Sequence, residues 1–314
     1  MLTRHTADLS VRFTGVSGLP AERMIEDAWA DPIAPADPEL VAVPKEPYVA
    51  GSDLENAVNL AIALGRPLLL QGDPGAGKTR LAHAVAYGLG LPLEQAYIKS
   101  TSRGQDLLYT FDAVRRLYDV QLDGARDDSR YVRLGPLGRA IARAGHGRRS
   151  VVLIDEIDKA DIDFPNDLLR ELDQLSFEVA ELPGTRYTVP AGQNALRPII
   201  IVTNNEEKAL PSAFLRRCVF HYVRFPDNAA DLDAILDLHG IAKGELSDNA
   251  VNVLLGLRKL DLAKKPGLSE LLDWIGYLQA TGTPAADVGR LPASGALLKQ
   301  HSDQLRAADW LAGR

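Results

Sequence analysis

Residues 67–79 read PLLLQGDPGAGKT. Leu68, Leu69 and Leu70 predict a short strand buried on both faces, and residues 72–79 match G-x-x-x-x-G-K-[ST] with Gly72, Gly77, Lys78 and Thr79 in the fixed places. Glycines at 72, 75 and 77 let the backbone curl so that successive N–H groups point inward as an anion nest. Lys78 adds a point charge for the β and γ phosphates, and Thr79 offers a hydroxyl to Mg²⁺. Beyond the loop, Leu81, Ala84, Val85 and Leu89 mark one apolar face of a helix whose N-terminus would point at the phosphates. The nucleotide is therefore assigned to Gly72, Asp73, Pro74, Gly75, Ala76, Gly77, Lys78, Thr79 and Arg80.

Working outward from the loop, residues 49–226 alternate helical stretches with short apolar runs at 67–71, 95–99, 151–154, 199–203 and 219–223. That alternation predicts an α/β nucleotide-binding core, a parallel five-stranded sheet sandwiched by helices. After Pro226 the strand signals stop. Helical stretches such as 231–238 and 269–279, the latter with Leu271, Leu272, Ile275 and Leu278 at helical spacing, predict a helical domain over 227–314. Residues 1–48 read as an extension. They hold a short alternation around Leu9, Val11 and Phe13 and a helix near 21–30, followed by Pro32, Pro35, Pro38, Pro44 and Pro47, whose spacing predicts an extended connector.

The run VVLIDEIDKA at 151–160 ends abruptly in two carboxylates, Asp155 and Glu156. At the C-terminal edge of a parallel sheet, the first can hold the Mg²⁺ shell while the second polarises a water for in-line attack on the γ phosphate. Asp158, Asp161 and Asp163 follow, but Phe164 and Pro165 replace the glycine a calcium loop needs, so a solvated cluster at a helix start is expected. Residues 198–218, PIIIVTNNEEKALPSAFLRRC, form another apolar run that ends in Thr203, Asn204 and Asn205. An amide of Asn204 or Asn205 would orient the attacking water. Arg216 and Arg217 close the next predicted helix, where cations complement the dipole; with no further phosphate-charge partner on the loop besides Lys78, one of them reads as an arginine finger reaching a neighbouring subunit.

Composition excludes several classes. In 314 residues the apolar runs fall far short of a bilayer span, so no membrane insertion is expected. Lys+Arg 35 against Asp+Glu 42, a net charge of -7, argues against a nucleic-acid partner. Arg139, Arg143, Arg148 and Arg149 form a local basic patch whose default reading is a solvated face. The single cysteine, Cys218, excludes an intramolecular disulfide and reads as a small buried hydrophobe; with no secretory apolar stretch at the N-terminus, a cytoplasmic location is expected. The histidines show no zinc-ligand spacing, and Trp274 is expected in the core.

Taken together, GDPGAGKT, VVLIDEIDKA, IVTNNE and AFLRRC, in that order, resemble the AAA+ ATPases, and the MoxR branch in particular. The resemblance covers roughly 48–285. It is strengthened by the approach PYVAGSDLENAVNLAIALGRPLLLQG, by the long stretch 106–134 before LGPLGRAI, which is similar to the branch's insert in the second helix, and by TRYTVP at 185–190, similar to the hairpin before the first sensor strand. It implies Thr79 and Asp155 for Mg²⁺, Glu156 as catalytic base, Asn205 as first sensor and Arg217 as trans finger, with Arg216 in reserve. It further implies ATP and Mg²⁺ as cofactors, a homo-oligomeric ring, usually a hexamer, and chaperone-like remodelling of a protein client such as one bearing a von Willebrand factor A domain. One departure stands out. PGLSELLDW at 266–274 has Leu271 where the family's lid carries a second-sensor arginine, so Arg258, Lys264 or Lys265 substitutes or the contact is missing. Two other functions are weighed beside the remodelling ATPase: a nucleic-acid-associated motor, and a weakly hydrolysing nucleotide-dependent scaffold.

Overall fold

The computed structural model describes residues 7–33, 38–123 and 127–313; Pro35 of the expected connector lies outside the described residues. The chain packs as two compact units. The first comprises the described residues of Met1–Glu46, Ala50–Gln71 and Thr79–Tyr222, and the second Pro47–Val49, Gly72–Lys78 and those of Val223–Arg314.

In the first unit, β1 (Glu22–Glu26) and β2 (Leu40–Pro44) form an antiparallel hairpin, followed by α1 (Ser52–Leu64), β3 (Leu68–Gly72), α2 (Lys78–Leu89) and β4 (Leu93–Tyr97). A second small hairpin, β5 (Tyr109–Phe111) with β6 (Val132–Leu134), carries α3 (Ala113–Asp123) between its strands. It fills the stretch whose length the sequence marks as an insert. Then come α4 (Pro136–Gly145), β7 (Val151–Asp155), the short α5 (Phe164–Asp167) and α6 (Leu169–Gln174), and a third hairpin, β8 (Ser176–Glu178) with β9 (Arg186–Thr188). The series closes with β10 (Ile199–Asn204), α7 (Ser212–Leu215) and β11 (Val219–Val223), the end residues Gly72, Lys78 and Val223 belonging to the second unit.

The main sheet is the expected five-stranded parallel one, in the order β11-β3-β10-β7-β4. The expected strand at 95–99 begins two residues earlier, at Leu93. Register sets the carboxyl ends side by side: Asn204 lies opposite Gln71, and Tyr97 opposite Asp155. Every residue of β7 and β10 is buried, which is why these strands read as unbroken apolar runs. Helices and strands close on a core of Leu69, Leu137, Ile141, Val152, Ile154, Phe164, Leu168, Val202 and Phe214, among others.

Two sequence expectations near the N-terminus are corrected. Residues 22–26 are a strand rather than part of a helix, and 40–44 pair with them rather than forming an extended connector. LVAV lies between Pro38 and Pro44, so the prolines fall beside the pairing segment or at its end, where a missing N–H is tolerated. Long-range contacts override the local helical signal. Arg23 donates to the carbonyls of Tyr87 and Gly88 at 2.7 and 2.9 Å.

The basic patch is also corrected: it is not a solvated face. Arg143 is 0% exposed and pairs with Glu26 at 2.6 Å and Glu94 at 2.5 Å. Arg139 reaches Glu94 and the carbonyls of Ala28 and Ala30, and Arg148 reaches Glu26 and the Pro32 carbonyl. Arg139 and Arg143 are four residues apart on α4, so one helix face presents both guanidiniums to the hairpin. Burial pushes the Glu94 carboxyl above its ordinary value against the opposing pull of Arg143 and Arg139. Removing either partner alone would strand a buried charge.

The second unit contains α8 (Ala229–Leu238), α9 (Glu245–Arg258), α10 (Leu268–Ala280) and α11 (His301–Ala312) around Leu232, Leu254, Leu271, Trp274, Ile275 and Leu298. Trp274 is core, as its helical position predicts, and its indole N–H donates to the Pro292 carbonyl at 2.7 Å. No helix among the described residues is long and apolar enough to cross a membrane.

Candidate nucleotide site

The loop is built by glycine conformations that other residues rarely adopt. Gly72, Gly75 and Gly77 all have positive φ, and a Cβ on Gly72 would lie 2.2 Å from the Val223 carbonyl oxygen. Lys78 is buried, and its ammonium donates to the carbonyls of Gly72 and Asp73 at 2.6 and 2.9 Å, which ties the charge to the loop it serves. Ala76 N–H closes the turn onto the Asp73 carbonyl at 3.2 Å.

Within the same unit, Arg258 at the end of α9 meets this loop. It donates to Asp73 Oδ2 at 3.0 Å and to the Pro266 carbonyl at 2.6 Å, and its guanidinium lies 3.6 Å from the centre of the Phe225 ring. Leu271 is buried in the helical core. Of the three cations weighed as replacements for the lid arginine, Arg258 is the one whose side chain bonds to the phosphate loop.

At the carboxyl edge of the sheet, the hydroxyls of Thr79 and Thr203 both donate to Asp155 Oδ1, at 2.9 and 2.6 Å. Thr203 Oγ1 also accepts the N–H of Glu156 at 2.8 Å, and so fixes the turn that follows β7. Glu156 itself sits at φ 58, a left-handed conformation that a non-glycine residue holds only where the surroundings enforce it. Asn205 Nδ2 donates to Glu156 Oε1 at 3.0 Å. Thr79, Asp155, Glu156 and Asn205 are thus joined in one hydrogen-bonded chain.

Arg217 lies apart from that chain, bonding Asp173 Oδ2 at 2.8 Å and the Ala213 carbonyl at 2.9 Å; Arg216, the residue after α7, is exposed. Arg80 pairs with Glu46 at 3.2 Å, and burial pushes the Glu46 carboxyl above its ordinary value while Arg80 pulls it back. Burial, then the Arg80 charge, lowers the His83 imidazole, so this ring adds no positive charge near Asp155 at neutral pH. Burial pushes the Cys218 thiol up to about 12, which leaves no thiolate for nucleophilic chemistry.

Sequence reasoning misplaced Asp158: it is 2% exposed, whereas Asp161 and Asp163 are exposed. Thr203 was visible only as a polar strand end. Its bridging role depends on β10 lying beside β7, which periodicity along a single strand does not reveal.

Thr79 and Asp155 supply one hydroxyl and one carboxylate, a sparse oxygen set that suits Mg²⁺, which keeps waters and substrate phosphates in its shell. Among the described residues no group of three or more His, Cys, Asp and Glu is placed to hold a metal.

A strand running into a glycine loop with a buried lysine is the local form of a P-loop, and the acid pair closes β7 at the carboxyl edge of the parallel sheet. Residues 67–218 match the family model described as AAA domain (dynein-related subfamily), a span just under half of the chain. No curated protein matches the chain. Among solved structures, NtrX from Brucella abortus in complex with ADP is 18% identical with a TM-score of 0.47, covering 86% of this chain and 61% of its own. The same protein in complex with ATP is 17% identical with a TM-score of 0.46, covering 83% and 59%. This chain therefore spans about three-fifths of the NtrX chains it matches.

Proposed function

We propose that this chain is an Mg²⁺-dependent ATPase of the MoxR-like type, which hydrolyses ATP at the seams of a ring of identical copies and uses the cycle to remodel a partner protein. The observation that carries the hydrolytic part is the hydrogen bond from Asn205 to Glu156, which sets one carboxylate oxygen and leaves the other for water. Thr79 and Asp155 would hold Mg²⁺, which neutralises phosphate charge when bound. Lys78 binds the phosphates. Glu156 takes a proton from the attacking water, whose oxygen bonds to the γ phosphorus as the bond to the ADP oxygen breaks.

Ring assembly rests on the resemblance and on two arginines past α7, one exposed and one in a half-open ion pair. Specific ATPase activity is expected to rise with protein concentration and to level off as mass measurements in ATP and Mg²⁺ show assembly. A dilute monomer as active per chain as the assembled sample would sink the seam reading. A client with a von Willebrand factor A domain is the partner the resemblance favours.

Both competing readings lose support from specific contacts. The arginines that would have served a nucleic-acid motor are spent on Glu26, Glu94 and backbone carbonyls. The scaffold reading was motivated by an absent lid cation, and Arg258 supplies one at the loop. Arg258→Ala is expected to weaken ATP binding about 10-fold, because it removes the charge-assisted bond that holds Asp73 of the glycine loop, and to weaken ADP binding less. Equal binding of both nucleotides by variant and wild type, measured by titration, would return weight to the scaffold.

A further inference from the structure

Next to the acid pair, the mechanism leaves a buried carboxylate unused. Asp158 lies two residues beyond Glu156, and its Oδ2 accepts two backbone N–H groups from the loop after β10: Asn205 at 3.1 Å and Glu207 at 3.0 Å. Its other oxygen is buried and makes no hydrogen bond among the described residues. The loop it grips is not relaxed, because Glu206, between the two donors, has φ 64. That grip sits directly behind the amide that touches Glu156.

We infer that Asp158 is a positioning residue, whose buried carboxylate fixes the backbone at Asn205 and Glu207 so that the Asn205 amide stays on the Glu156 carboxylate. Other links join the same two segments. Lys159 pairs with Glu207 at 2.6 Å and Lys208 donates to the Ala160 carbonyl at 2.7 Å, but both links end on long, partly exposed lysine side chains, which hold geometry weakly. Asp158 is itself buried and its carboxylate takes two backbone N–H groups on either side of Glu206, so these charge-assisted bonds are the ones that set the angle and height of the amide. The inference rests on reading Glu156 and Asn205 as the hydrolytic pair.

The test is a double-mutant cycle of Asp158→Ala with Asn205→Ala in the full chain, assembled with Mg²⁺ and ATP, reading kcat and ATP affinity separately. Asp158→Ala is expected to lower kcat by about 10², the effect of a misplaced catalytic group, with ATP affinity unchanged. In the Asn205→Ala background it should have no further effect, since the group it positions is gone. Hydrogen exchange without nucleotide gives an independent readout: the Asn205 and Glu207 amides, slow in the wild type, should exchange faster in the variant. Losses that multiply in the double variant, a wild-type kcat in Asp158→Ala, or unchanged exchange would each overturn the assignment while leaving the ATPase reading intact. If Asp158→Ala does not fold, Asp158→Asn keeps one acceptor and should show a smaller loss with the same non-additivity; a multiplicative loss there overturns it equally. A wild-type chain that assembles and never hydrolyses ATP would remove the ATPase reading, and this inference with it.

Discussion

Glu156→Gln is expected to lower turnover by at least about 10² while ATP still binds, because the amide cannot take the proton from water. The change is nearly isosteric. The side-chain carbonyl oxygen can still accept from Asn205 Nδ2, which is 3.0 Å from Glu156 Oε1, and the backbone N–H of residue 156 still donates to Thr203 Oγ1, so the left-handed turn after β7 keeps its support. Binding residues are untouched: Lys78 is fastened to the loop carbonyls, and the hydroxyls of Thr79 and Thr203 remain on Asp155. The expected signature is therefore a stable ATP complex with slow product formation, measured as nucleotide affinity beside single-turnover hydrolysis. Unchanged turnover would take the role of base away from Glu156.

Arg217→Ala is expected to cost more, about 10³ in turnover or above, if the guanidinium completes a neighbour's site as an arginine finger. Its present partner does not oppose that role. The pair with Asp173 has side chains 37% and 39% exposed, and such surface pairs are worth about 0 to 1 kcal/mol, so a triphosphate can compete for the cation. Mixing provides the decisive measurement. Arg217→Ala chains keep Glu156, and Glu156→Gln chains keep Arg217, so mixed rings contain seams with both groups and should recover activity that neither variant has alone. No recovery, with assembly confirmed, would deny action across a seam. If Arg217→Ala is silent and Arg216→Ala is not, the finger is Arg216; if both are silent, neither arginine serves the chemistry.

How far the sequence reaches differs from element to element. β7 and β10 are buried on both faces, so their apolar runs are legible without any knowledge of neighbours. The glycine loop is legible for a similar reason: its backbone angles are a local requirement that only certain residues meet. The hairpin at 22–26 and 40–44 is not legible, because a short mixed segment satisfies both periods and pairing decides between them. Arg143 shows the same limit. Its partners Glu26 and Glu94 lie 117 and 49 residues away in sequence, so a row of arginines looks like a solvated face until the fold delivers the acids.

By itself, then, the order of residues determined the parallel sheet, the phosphate loop and the acid pair at its edge, since each depends on side-chain volume, backbone freedom or charge within about ten residues. Tertiary structure alone decided that Thr203 bridges Asp155 to Glu156, that Asp158 is buried against the Asn205 loop, and that Arg258 rather than Lys264 or Lys265 meets Asp73. The physical reason is that a hydrogen bond acts over about 3 Å in space and is indifferent to separation along the chain.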